Sequence, residues 1–248
     1  MGQRLLDALL AGADPDVVVA AERARGQLPP GLLGERVLAD ARQKAERLAD
    51  SAREVADGRP GSIEVDVALP DGRHLVGTVA DVFAGAATIR PVTFSSMSAK
   101  RQLATWVRHL AASSATDGGL TSVLVARWGG RSRRFGLPPI TAEQAVGHLA
   151  ALVALRDEVL CGPVPLASKT SHAWLTRQRE GDEDPGAAAA REWDGDFHRP
   201  GEGHDAEHVL LYGGVRPFDD VITDPRFTVL AREVWTPALD AHRRWAAS

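Results

Sequence analysis

The feature that most constrains this chain is a change of hydrophobic period near residue 61. From there Ile63, Val65, Val67 and Leu69 alternate with Ser62, Glu64, Asp66 and Ala68. A two-residue period puts one set on a buried sheet face and the other in water. Upstream the period is helical. Val37, Leu38, Ala41, Ala45, Leu48 and Ala52 recur at helical spacing within 35–57, with charged residues between them. The chain must therefore pack helices against a sheet.

The remaining punctuation gives the element order. Residues 3–24 read as helix, with a new start at Asp14-Pro15, and Leu28-Pro-Pro-Gly31 breaks the pattern. Pro70-Asp71-Gly72 turns the first strand back into a second over 75–83. A third strand is expected over 88–94 and a helix over 97–112. A hairpin follows, with strands 121–128 and 131–135 joined at Gly129-Gly130. Thr141 and Gln144 match a capping box, and Gly162-Pro163 stops the helix they open. Residues 180–204, rich in Gly, Asp, Glu and Pro, read as a mobile loop around a short Ala-rich helix. Asp224-Pro225 starts a last helix. Helices, then strands, then helix, hairpin and more helices favour α/β or α+β, with helices covering a mixed sheet.

The stretch Val76-Gly-Thr-Val-Ala-Asp81-Val-Phe83 and the strand after it pose the chemical question. A metal-dependent DNA nuclease commonly carries an acid on one strand and D/E-x-K on the next. Asp81 could fill the first acid position. The strand Thr88-Ile-Arg90-Pro91-Val-Thr-Phe94 holds neither acid nor lysine, and Lys100 lies beyond it. Glu64 and Asp66 share a face and are available, but read simply as solvent-facing strand residues. Losing one metal acid and the lysine removes several kcal/mol of transition-state stabilisation.

Other candidate sites compete. His204-Asp-Ala-Glu207-His208 matches H-x-x-E-H, in which two histidines on one helical face hold zinc and the glutamate activates water. A third ligand would come from Asp219, Asp220 or Glu233; the plain reading is a polar helix start with exposed histidines. Arg127, Arg131, Arg133 and Arg134 surround the Gly129-Gly130 turn and could touch phosphates. The alternative is an exposed ribbon kept soluble by charge. Trp106, Trp174, Trp193 and Trp235 read as core or interface anchors. Cys161 reads as a packed or idle thiol rather than a nucleophile.

Composition limits the rest. Net charge is −4, so any nucleic-acid contact needs a local basic patch. One cysteine allows no internal disulfide. No apolar run approaches the roughly 18 residues of a membrane span, and the N-terminus does not read as a signal peptide, so a cytoplasmic location is expected. A start inside a helical pattern suggests that Met1 heads a fragment.

A family resemblance emerges from ordered matches. Leu28-Pro-Pro-Gly31-Leu-Leu-Gly34, Leu75-Val-Gly77, Ile89-Arg90-Pro91, Gln102-Leu-Ala-Thr-Trp106, Pro138-Pro139-Ile-Thr-Ala-Glu143-Gln144, Pro163-Val-Pro165-Leu166 and Ala173-Trp174-Leu175 resemble the C-terminal region of RecC, the gamma subunit of exodeoxyribonuclease V, RecBCD. The resemblance runs over roughly 22–240. It implies a PD-(D/E)xK nuclease-like α/β fold, a mixed sheet flanked by helices, that is catalytically degenerate. It also implies a helical segment over 1–60 packing on a nuclease-like domain over 61–248. Gln102-x-x-x-Trp106 is similar to the Gln-x-x-x-Tyr helix supporting RecB-type sites, with the tyrosine hydroxyl gone. Asp81 and Gln102 are then vestigial site residues, with no catalytic residue, metal or cofactor. The implied role is structural and DNA-handling, with RecB-like and RecD-like partners, in double-strand break repair and recombination. The alternative is an active metal-dependent exonuclease whose acid or lysine has migrated along the chain.

Overall fold

Asp14 accepts hydrogen bonds from the backbone of Asp16 and Val17, and so ends one helix and starts the next. In the computed structural model, which describes residues 1–248, these are α1 (Gly2–Leu10) and α2 (Pro15–Ala24). Gly31, at a φ of 65° that favours glycine, then leads into α3 (Leu32–Arg53). The apolar stripe of α3 lies with Leu5, Leu6 and Leu9 of α1 on one face of a sheet, over Val123 and Val125.

The alternating segment is β1 (Gly61–Ala68), paired antiparallel with β2 (His74–Phe83). Val65 and Val67 face the core, while Glu64 and Asp66 face water. The expected third strand is interrupted. Thr88–Ile89 form β3 and Val92–Ser96 form β4, and both run parallel to the same edge of β5 (Thr121–Trp128). Pro91 lies in the gap. It has no N–H to give, but its carbonyl accepts from Val125 at 3.0 Å. β4 ends the β1-β2-β3-β5-β4 path. The side chain of Gln3 accepts from the Phe94 N–H at 2.8 Å and so occupies part of this edge.

β5 also pairs antiparallel with β6 (Arg131–Leu137) through the Gly129-Gly130 turn. On the other sheet face lie α4 (Ala99–Ser114), α5 (Ala142–Cys161) and α10 (Pro225–Ala247), around Trp106, Leu110, Leu124, Phe135 and Leu149. Both halves of the capping box at Thr141 and Gln144 are made.

A last core lies beyond the sheet. It gathers Trp174 of α6 (Ser168–Arg179), Trp193 of α7 (Pro185–Asp194), Val221 of α9 (Phe218–Ile222), and Phe227 and Trp235 of α10. Between α7 and α9 lies α8 (Ala206–Tyr212). Sequence period did not mark α6, whose mixed Ser, Lys, Thr and Arg residues dilute its apolar face. The segment read as a loop around a short helix is built into this core. β7 (Gly195–Asp196) pairs with β8 (Arg199–Pro200), and just beyond them Glu202 is 1% exposed. Its carboxylate accepts from Ser168 Oγ at 2.9 Å, the Lys169 and Thr170 N–H groups, each at 2.9 Å, and Thr170 Oγ1 at 3.0 Å. Ala167, the residue before α6, has no capping side chain, so Glu202 caps the helix from across the fold.

Candidate functional site

Asp81 sits on a β-bulge. In the β1–β2 register Ser62 opposes Ala80 and Gly61 opposes Val82, which leaves Asp81 as the extra residue. Its φ is +63°, a left-handed conformation that aspartate tolerates better than most side chains. The inserted residue switches the alternation, so Val79 and Val82 both face the core. Asp81 itself is half-buried. Burial pushes its carboxyl pKa up, against the opposing pull of Arg108 and Arg90, while Asp7 pushes the same way as burial.

Arg90 stands where the second strand would carry its acid or lysine. Its N–H donates to the Asp81 carbonyl at 2.9 Å, which extends the β2–β3 ladder. Its side chain leaves the site. The guanidinium lies 4.2 Å from the Phe83 ring centroid and donates to the carbonyls of Ala52, at 3.1 Å, and Ala56. Ala52 lies in the last turn of α3, where its carbonyl also accepts from the Val55 and Ala56 N–H groups, and Ala56 lies just beyond the helix. A cation there also complements the helix dipole. Burial lowers the Arg90 pKa, with Asp81 and Asp57 opposing the shift.

The other acids do not join Asp81. Glu64 accepts from Thr78 Oγ1 at 3.0 Å, and Asp66 pairs with His74 at 2.8 Å, both on the exposed face of β1–β2. The convergence of Asp81, Glu64 or Asp66 and a lysine that a migrated nuclease site needs is therefore not formed. Gln102 does not face Asp81 either. Its side chain meets His172 Nε2 of α6 at 3.0 Å, and His172 packs edge-on against Trp235. Trp106 is 2% exposed, with His109 and His148 against its ring.

The H-x-x-E-H stretch lacks the helix its zinc reading requires. His204 closes a short 3-10 turn, Asp205 is extended at φ −61° and ψ 135°, and α8 starts at Ala206. The two histidines thus do not share a helical face. His208 packs instead between Trp193 and Tyr212. No group of three His, Cys, Asp or Glu side chains is placed to hold a metal ion.

The four hairpin arginines divide by strand parity. Arg127 and Arg134 project toward α3. Arg127 donates to the Phe94 carbonyl and covers the Phe94 ring. Arg134 donates to the Ser51 carbonyl at 2.9 Å and pairs with Glu54. On the opposite face are Arg131 and Arg133, and the Arg133 guanidinium lies 4.6 Å from the Trp128 ring centroid. Sequence reasoning missed two further cations, Lys44 and Arg47 of α3. They line a small cleft with Arg127 and the turn residues 129–132, among which Arg131 belongs by strand parity to the opposite face, and Arg47 donates to the Gly130 carbonyl at 2.8 Å. Arg47 is 83 residues from Gly130, so no local pattern links them. Among these cleft cations only Lys44 has a carboxylate partner, Asp40.

Known proteins are similar to this sequence along most of its length. Residues 1–179 match the RecC C-terminal domain family. The chain is 35% identical over 259 residues to the RecBCD enzyme subunit RecC of Mycobacterium tuberculosis (strain ATCC 25618 / H37Rv), covering 97% of this chain and 23% of that protein. It is 32% identical over 257 residues to the RecBCD enzyme subunit RecC of Mycolicibacterium smegmatis, covering 98% of this chain and 23% of that protein. The same subunit of Escherichia coli (strain K12) is 32% identical over 177 residues, 71% of this chain and 15% of that one. The chain therefore spans less than a quarter of the length of the curated relatives it matches. The match covers the helices over the sheet, the bulge at Asp81, the strand broken at Arg90-Pro91 and the arginine-flanked hairpin, and this chain belongs to the RecC C-terminal domain family.

Proposed function

We propose that this chain is a non-catalytic structural and DNA-handling domain of a RecC subunit in a RecBCD-type helicase–nuclease. That assembly acts in double-strand break repair and recombination, in the cytoplasm. Residues 1–60 form its helical segment and 61–248 its PD-(D/E)xK-like domain, with Asp81 and Gln102 as remnants of a nuclease site. RecB-like and RecD-like subunits are the partners, and they carry the motor and nuclease chemistry.

The observation that carries this reading is the commitment of Arg90. A working site would place an acid and a lysine on that strand beside Asp81. Here a buried arginine turns to the end of α3 and proline follows it. Asp81 as a lone carboxylate supports this reading, since metal-dependent hydrolysis needs two or more carboxylates converging on the ion. DNA contact is proposed at the hairpin, where Arg47, Arg127 and Arg131 have no carboxylate partner and suit phosphate oxygens. Arg134 serves the fold through Ser51 and Glu54.

The test is incubation of the purified chain with single- and double-stranded DNA in Mg²⁺ and in Mn²⁺. The expected result is no cleavage in either metal. Cleavage abolished by Asp81→Ala would overturn the reading.

A further inference from the structure

We propose that Trp128 is a stacking platform for an unpaired nucleobase, and that the β5–β6 hairpin tip therefore prefers single-stranded nucleic acid to duplex. The inference rests on the DNA-handling reading above and adds to it which strand state the hairpin takes and by which residue.

The tryptophans of this chain have divided fates. Trp106, Trp174, Trp193 and Trp235 are 1–6% exposed and fill the cores, whereas Trp128 is 56% exposed at the end of β5. It is the last residue before the turn and pairs in register with Arg131. Gly129 and Gly130 beside it have open space where side chains would stand. Trp128 thus leaves a large aromatic surface in water at a glycine turn, touched in this chain by Arg133.

Its neighbours select the ligand. Arg133 lies over the indole and Arg131 is directly across, and neither forms an ion pair with a carboxylate in this chain. The other face of the same turn carries Arg47 and Arg127. An aromatic ring among cations unpaired with acids matches an anionic, planar, repeating ligand: bases stack on indole while phosphates meet guanidinium groups. In a duplex the bases are stacked on one another, so only an unpaired base can use the ring.

The test measures binding of fluorescein-labelled oligonucleotides to the full chain by anisotropy. The probes are an oligothymidylate of about 16 nucleotides, the same length with abasic sites throughout, and a blunt duplex. Trp128→Ala should weaken oligothymidylate binding by about 5- to 100-fold, with duplex and abasic affinities changed by less than about twofold. Trp128→Phe should keep most of the affinity, since a ring remains.

Equal weakening on all three probes, or none on oligothymidylate, would overturn the stacking role. If Arg47→Glu then abolishes binding that Trp128→Ala leaves intact, the DNA-handling reading stands without it. Absence of binding to every probe overturns both. Capture of an acidic peptide, abolished in Trp128→Ala while oligothymidylate binding is unchanged, would make the tip a protein-docking site instead.

Discussion

Arg90 and Asp81 are joined by the backbone and separated by their side chains. The Arg90 N–H meets the Asp81 carbonyl at 2.9 Å, yet its guanidinium ends on carbonyls of the α3 terminus. A sheet position that could build a metal site instead ties a helix to the sheet.

Arg90→Ala should cost about 2–3 kcal/mol of folding stability, because it leaves the Ala56 carbonyl without its donor and removes buried packing. Urea denaturation with a common m-value checks this. A change below about 0.5 kcal/mol would show that the cap is dispensable. Arg90→Lys should fall between, since an ammonium cannot present a planar fork.

Glu202 anchors the segment after α7 to the start of α6. Glu202→Ala leaves the Lys169 and Thr170 N–H groups without their acceptor and should cost about 2–4 kcal/mol. Limited proteolysis offers a second reading: cleavage within 195–205 should become faster in the variant than in the parent. Unchanged cleavage and stability would mean that the cap holds nothing in place.

Acid should destabilise this fold well before carboxylates protonate. Burial lowers His109 and His172 from an ordinary 6.5 to about 4, with Arg133 also lowering His172. Both are neutral when folded, so the unfolded chain binds more protons between pH 6.5 and 4. Their contribution is fully present above pH 6.5 and is lost as pH falls toward 4, at most roughly 3 kcal/mol each. Thermal melts from pH 7.5 to 4.5 should show Tm falling through this window. His109→Gln and His172→Gln should each flatten the slope.

A Cβ added at Gly136 would collide with the Trp245 ring, so α10 approaches β6 only because this position is glycine. Gly136→Ala should cost about 1–3 kcal/mol by overpacking. Part of that cost should vanish in a Trp245→Ala background, and a double-mutant cycle by urea denaturation measures it. Strict additivity would place the strain elsewhere.

Arg47 and Arg131 offer a separate test of the basic cleft. Charge reversal of either should weaken DNA binding across sequences. It should also lower the salt slope by about one for each phosphate the cleft no longer neutralises. Anisotropy titrations at several salt concentrations supply the slope. An unchanged slope would remove the cleft from the DNA path.

The local order was legible because it rests on short-range rules. Alternation in 62–69, the capping box at Thr141 and Gln144, and the Asp-Pro starts at 14 and 224 each specify an element from a few adjacent residues. The strand expected over 88–94 is instead broken at Pro91, since a residue without an N–H cannot serve an unbroken ladder. The chemistry missing from 88–94 was visible in the residues themselves.

What the tertiary structure alone decided was which distant groups meet. No spacing rule links Arg90 to Ala52, Glu202 to Thr170 or Arg47 to Gly130, because packing of α3 and the C-terminal segments on the sheet brings them together. The same packing separated Gln102 from Asp81 and put His172 beside it instead. It also broke the helix that His204 and His208 would have needed. The sequence by itself determined β1, β2, the β5–β6 hairpin and the capped helices, though not α6 or the break at Arg90-Pro91, and it determined the absence of a lysine or acid on that strand. Burial and long-range hydrogen bonding decided that Arg90 is a helix cap, that Arg134 belongs to the fold, and that Arg131 and Trp128 remain free at the hairpin tip.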